Sequence, residues 1–161
     1  MLQIMAQGIQ FSLGDWGEVL DMARTNKKMI FFYAHSVNCE PCDLLEKGAL
    51  RDSSVVAFFN ENFISVHYDM ETFPGLELAE TYQISGYPSL LILDDRGRVR
   101  HRLCGTLSAS DLLFEARQAK DDRESLLGLK RRFYEGDFSL SSLKLYGVAL
   151  EAACLSKGDF I

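Results

Sequence analysis

Cys39-Glu40-Pro41-Cys42 follows the apolar run Met29-Ile30-Phe31-Phe32-Tyr33-Ala34 and a short segment, His35-Ser36-Val37-Asn38. Two cysteines with two residues between them, just after a run that fits a buried central strand, read as a redox pair placed where a strand passes into a helix. The spacing lets the second sulfur fold back over the first helical turn and close a small ring with the first. A helix N-terminus at that spot carries partial positive charge and free N–H groups, which favour thiolate over thiol.

The composition is compatible with that chemistry and excludes several alternatives. The chain has 161 residues, 47% hydrophobic and 25% charged. That is enough for one domain with a full apolar core and a small appendage. A net charge of −6 and a pI near 5.1 argue against nucleic acid or an anionic membrane as the main partner. No apolar run approaches the ~20 residues of a membrane span. Four cysteines are too few for a disulfide scaffold, and no second CxxC or His pair supplies the ligand pattern of a structural zinc site. No cofactor is expected. The opening segment, residues 1–12, has two readings: the stub of a signal peptide with the mature chain starting near Gln7, or an ordinary frayed terminus.

Outward from the cysteines, Trp16, Val19, Leu20 and Ala23 repeat at helical spacing, predicting a helix over Asp15 to Asn26. A second helix is expected from about Cys39 to Leu50 with Leu44, Leu45 and Ala49 inward, and Asp52-Ser53-Ser54 as a cap for a further turn or two. Phe63 to Tyr68 reads as a strand and Leu76 to Tyr82 as a short helix. After Gly86-Tyr87-Pro88, Ser89 to Leu93 and Val99 to Cys104 read as a hairpin turning at Asp94-Asp95-Arg96-Gly97. Ser108 to Asp111 caps a helix reaching about Ala119. A βαβ unit followed by a hairpin and a covering helix predicts an α/β fold: a mixed sheet with helices on both faces. The charge run Lys120 to Glu124 reads as a solvated linker or helix start. Two helical segments follow, Ser125 to Tyr134 and Leu140 to Ser156, the second with Leu143, Tyr146, Leu150 and Ala153 on one face. They resemble one unit of a helical-hairpin repeat. The ending Lys157 to Ile161 echoes Tyr134 to Phe138, which suggests a natural chain continuing past Ile161.

This arrangement resembles the thioredoxin superfamily over roughly Asp15 to Ala119. The resemblance rests on Cys39-Glu40-Pro41-Cys42 after a buried strand, Gly86-Tyr87-Pro88-Ser89 before the next central strand, and Gly105 after the hairpin. The opening around Trp16, the Asn26-Lys27-Lys28 before the first strand and the loop after Asp69 are similar to bacterial thioredoxin-like thiol:disulfide interchange proteins. It implies a thioredoxin-like three-layer sandwich over residues 13–120 with a C-terminal helical hairpin over 121–161. It also implies a periplasmic or otherwise extracytoplasmic location, with a cytoplasmic one as the alternative. Cys39 would be the exposed nucleophile, forming a mixed disulfide, and Cys42 the more buried resolving thiol. Pro41 would sit in the first helical turn. Pro88 would be cis and leave the backbone of Tyr87 free to pair with a substrate strand. The implied partners are proteins carrying disulfides or thiols and an unidentified electron donor or acceptor.

The departures from thioredoxin matter as much as the matches. Glu40 stands beside the nucleophile, where its carboxylate should raise the Cys39 thiol pKa. Asn38 replaces a tryptophan. Tyr33 occupies the place of a buried aspartate, with no acid evident in its stead. His35 either stabilises a thiolate or merely bonds to backbone, and His67 and His101 are expected to be strand residues without a role. Cys104 and Cys154 are read first as small apolar packing residues, with a structural bridge between them as the alternative. Phe58, Phe59 and Phe63 read as core. The functional expectation is a thiol:disulfide oxidoreductase, reductase or isomerase rather than strong oxidant. A thioredoxin-fold interaction module with an idle CxxC is the alternative.

Overall fold

The structure, a computed structural model, describes residues 8–155. At its centre β1 (Met29–His35) pairs in parallel with β2 (Phe63–Asp69) and antiparallel with β3 (Ser89–Leu93). β3 in turn pairs antiparallel with β4 (Val99–Cys104), giving the order β2-β1-β3-β4. β1 is buried along nearly its whole length, as its unbroken apolar run requires.

Alternation along β1 divides the core in two. Ile30, Phe32 and Ala34 face α1 (Trp16–Asn26) and α4 (Gly75–Thr81), packing with Val19, Ala23 and Leu78. Phe31 and Tyr33 face α2 (Glu40–Lys47), α3 (Ser53–Asn62) and α5 (Ala109–Lys120), packing with Leu45, Val55, Phe59 and Leu112. The Phe31 and Phe59 rings meet edge to face with centroids 4.6 Å apart. The result is the expected mixed sheet between two helical layers.

Local sequence explains the helix limits. Asp15 caps α1 in a reciprocal capping box with Glu18. Asp52 accepts from the N–H groups of Ser54 and Val55, and so starts a full ten-residue α3 rather than the turn or two anticipated. α2 stops at Lys47, shorter than expected, and a 3-10 turn at Ala49–Arg51 follows; Leu45 and Ala49 are buried, but Leu44 is exposed, one residue off the inward stripe. The stretch Lys120 to Glu124 is an ordered corner, because Asp121 Oδ1 accepts from the backbone of Arg123 and Glu124.

After that corner come α6 (Leu126–Tyr134) and α7 (Leu140–Ala152), turning at Gly136, whose φ of 91° suits glycine. Leu126, Leu129, Tyr146, Leu150 and Ala153 form a third, separate cluster between them. Leu143, expected on the same stripe, is 40% exposed. Both helices meet the sheet at β4.

Residues 8–12 lie along β2: Ser12 N–H donates to Ser65 O at 2.8 Å, and Gln10 N–H to Asn60 Oδ1 at 2.8 Å. The readings made of residues 1–7 and of the Lys157–Ile161 echo fall outside the described residues. Among the described residues no helix is long and apolar enough to cross a membrane.

Candidate active site

Cys39 is the N-cap residue of α2, and its Sγ accepts from Cys42 N–H at 3.2 Å. Pro41 occupies the first turn of the helix, where a missing N–H loses nothing. The two sulfurs are bonded in a Cys39–Cys42 disulfide with Cα atoms 5.2 Å apart. Cys42 is 3% exposed, whereas Cys39 is only partly buried. Cys39 is thus the more exposed member of the pair. Asn38, just before it, has φ 61°, a left-handed conformation that asparagine tolerates well. Glu40 and Asp43 both lie in the first turn of α2, where their charge opposes a thiolate, and Glu40 is exposed.

The opposite wall is built from the β3–β4 end. The Tyr87–Pro88 peptide is cis, and Ser89 Oγ donates back to Gly86 O at 2.8 Å. Gly105 N–H donates to Pro88 O at 3.0 Å, and Gly105 adopts φ 75°, which favours glycine. Next to it, Thr106 Oγ1 donates to Pro41 O at 3.3 Å. One short loop therefore ties the proline that opens β3 to the proline between the two cysteines. Cys39 and Tyr87 pack against the same apolar cluster as Cys42.

Beneath α2 lies a polar row that the sequence reading only half saw. Tyr33, 1% exposed, donates from its hydroxyl to Glu46 Oε1 at 2.9 Å. Glu46 sits one helical turn past Cys42, on the same side of α2. An acid does stand by Tyr33 after all; it comes from the helix rather than from the strand. Burial, then the Glu46 bond, pushes the Tyr33 phenol far above its usual range, so it stays a hydrogen-bond donor at any working pH. His35 is the last residue of β1, and its Nε2 lies 3.2 Å from His67 Nδ1. Among the described residues the His35 ring thus meets another histidine rather than the backbone or a sulfur. Register puts His67 directly across from Tyr33. Loss of hydration, then the neighbouring His35, lowers the His67 pKa.

Two further expectations are corrected. His101 is buried, with Nε2 2.8 Å from Glu115 Oε2 and Nδ1 accepting from Leu126 N–H at 3.0 Å. It joins β4 to α5 and α6, and the acceptor role of Nδ1 places the neutral ring's proton on Nε2. Cys104 and Cys154 are not separate packing residues but a second disulfide, with Cα atoms 5.9 Å apart. Glu46 and His67 left no motif in the sequence. Only the α2 spacing from Cys42 and the β1–β2 register bring them in.

A family model described as a thioredoxin-like domain matches residues 16–120. The chain belongs to the thioredoxin-like family. Among solved structures, a candidate disulphide isomerase from Bacteroides thetaiotaomicron is 34% identical, with TM-score 0.64, covering 71% of this chain and 95% of that one. A thioredoxin from Thermus thermophilus shares 24% identity and TM-score 0.63, covering 73% and 90%. Plant UBX domain-containing protein 10 of Arabidopsis thaliana is 24% identical over an alignment of 155 residues that covers 89% of this chain and 32% of that protein. The chain thus spans about a third of that relative's length. The thioredoxin-like unit carries the cysteine pair, the two prolines and the polar row. The α6–α7 hairpin lies beyond the residues the family model matches.

Proposed function

We propose that this protein is a thiol:disulfide oxidoreductase acting on protein substrates through Cys39 and Cys42. The observation that carries the reading is the placement of the pair: a half-buried Cys39 Sγ at a helix N-terminus, bonded to a buried Cys42, beside the Pro88 loop. In the reductive direction the Cys39 thiolate attacks one sulfur of a substrate disulfide, and the other substrate sulfur leaves as a thiolate. Cys42 then gives up its proton and attacks Cys39 Sγ. The second substrate thiol departs, and the Cys39–Cys42 disulfide remains. The backbone at Tyr87 and Pro88 receives the extended substrate segment. Glu46 is the nearby carboxylate able to take the Cys42 proton, because Tyr33 keeps its own. Glu40 and Asp43 weaken thiolate stabilisation, which favours reduction or isomerisation over strong oxidation.

The regenerating partner is a dithiol or disulfide protein. An extracytoplasmic location is part of the same proposal, supported by the Cys104–Cys154 disulfide, which lies outside the redox pair. The test is trapping. Cys42→Ser incubated with a disulfide-bonded protein should accumulate a mixed disulfide through Cys39, seen by mass. Cys39→Ser should accumulate none, and equal trapping by both variants overturns the assignment of roles.

A second reading, an interaction module, is favoured by one observation. The outer face of α7 leaves Leu140, Leu145 and Val148 exposed.

A further inference from the structure

The Cys104–Cys154 bridge lies at a mechanically distinct joint. Cys104 ends β4 and pairs in register with Ser89, the residue after Pro88. Cys154 follows Ala153, the C-cap of α7, and turns the chain away from that helix with a left-handed backbone, φ 50°, its N–H donating to Glu151 O at 3.0 Å. The bridge spans 50 residues of sequence and fastens the end of the hairpin to the edge strand. The hairpin has its own apolar cluster, separate from the two that flank the sheet. Its beginning is held independently, through Leu126 N–H on His101 and through Asp122 on Arg100 at 2.6 Å. Its far end reaches the main core through Ala152 and the bridge. A cleft of ≈ 960 Å³ runs between the two bodies, lined by Pro88, Cys104, Leu126, Tyr146 and Cys154. Cys154 is solvent-exposed and Cys104 only partly buried. A disulfide with an exposed cysteine is the more open to thiol exchange.

We propose that Cys104–Cys154 is a second thiol-exchange site, a latch whose reduction frees the end of the C-terminal hairpin and widens the cleft beside Pro88. Its substrate class is a dithiol reductant. One thiolate of that dithiol attacks Sγ of Cys154, the more exposed of the two cysteines, and the Cys104 thiolate leaves and takes up a proton. The second thiol of the reductant attacks its own sulfur in the mixed disulfide, releasing Cys154 as a thiolate that is protonated in turn. Two electrons and two protons pass to the bridge, and the reductant ends as a disulfide. α6 stays anchored at its start by His101, while the end of α7 loses its covalent tie to β4 and keeps its packing on α6. The consequence for the cleft rests on the proposed role of Pro88; the latch itself does not.

The test uses the full chain as Cys39→Ser/Cys42→Ser, which leaves one disulfide. It is equilibrated in mixtures of reduced and oxidised dithiothreitol without denaturant, and its thiols are then alkylated and weighed. The expected result is labelling of Cys104 and Cys154 that tracks the dithiothreitol ratio and is the same when approached from the reduced or the oxidised side, with native circular dichroism retained. Amide protection in α7 should fall at least about tenfold while that of β1 and β3 holds. Cys104→Ser/Cys154→Ser in the otherwise native chain should reproduce the same pattern. Labelling only in denaturant, reduction with α7 protection unchanged, or loss of the whole fold in either protein overturns the latch. None of these readouts uses oxidoreductase turnover, so a failed latch and a failed Cys39/Cys42 activity remain distinct results.

Discussion

Tyr33 on β1 and Glu46 on α2 share a hydrogen bond of 2.9 Å, one helical turn beyond the buried Cys42. The bond fixes the phenol as donor, so in the proposed reaction the Glu46 carboxylate, four residues past Cys42 on α2, is the group that serves as base. Glu46→Gln keeps the shape and removes the base. Decay of the mixed disulfide should slow by about tenfold, with trapping through Cys39 unchanged. Rapid-quench kinetics of a pre-formed mixed disulfide measure this. Tyr33→Phe should cost about 1 kcal/mol in urea unfolding, a modest figure because Glu46 faces water.

His67 gives the fold a pH dependence. Loss of hydration and the adjacent His35 lower its pKa in the folded state. The unfolded chain therefore binds more protons between that lowered value and the ordinary histidine value of about 6.5. Stability should be complete above about pH 6.5 and fall as the pH drops through that window. His67→Gln should flatten the fall. Urea midpoints for both proteins at about pH 7.5 and about pH 5 check it.

His101 is a joint between three elements. Its ring bonds Glu115 of α5 and the first N–H of α6 from a buried position on β4. His101→Ala leaves a buried N–H unpaired and a cavity behind it. The expected loss is about 2–4 kcal/mol. Hydrogen exchange should rise first at the start of α6, while equal loosening of β1 would contradict this placement.

How far the sequence could be read follows from the range of each interaction. Period, caps and turns are local, so β1, the Asp52 and Ser108 caps and the Asp94–Gly97 turn were legible from neighbouring residues. The cysteines' unequal burial and Pro41 in the first helical turn were implied by the family resemblance rather than by neighbouring residues. Contacts set by register or by helix rotation were legible from neither. His67 meets His35 only once β2 is aligned on β1, and Glu46 meets Tyr33 only once α2 is laid on the sheet. Leu44 and Leu45 are equally apolar, and α2's rotation decides which one is buried. Cys104 and Cys154 lie 50 residues apart, and no local signal fixes the packing that brings their Cα atoms to 5.9 Å.

The oxidoreductase reading is tested most directly by the reduction of insulin in the presence of dithiothreitol, followed by turbidity. The wild-type protein should shorten the onset of precipitation, and Cys39→Ser should return it to the protein-free control. No acceleration by the wild type, or equal acceleration by Cys39→Ser, would contradict the account.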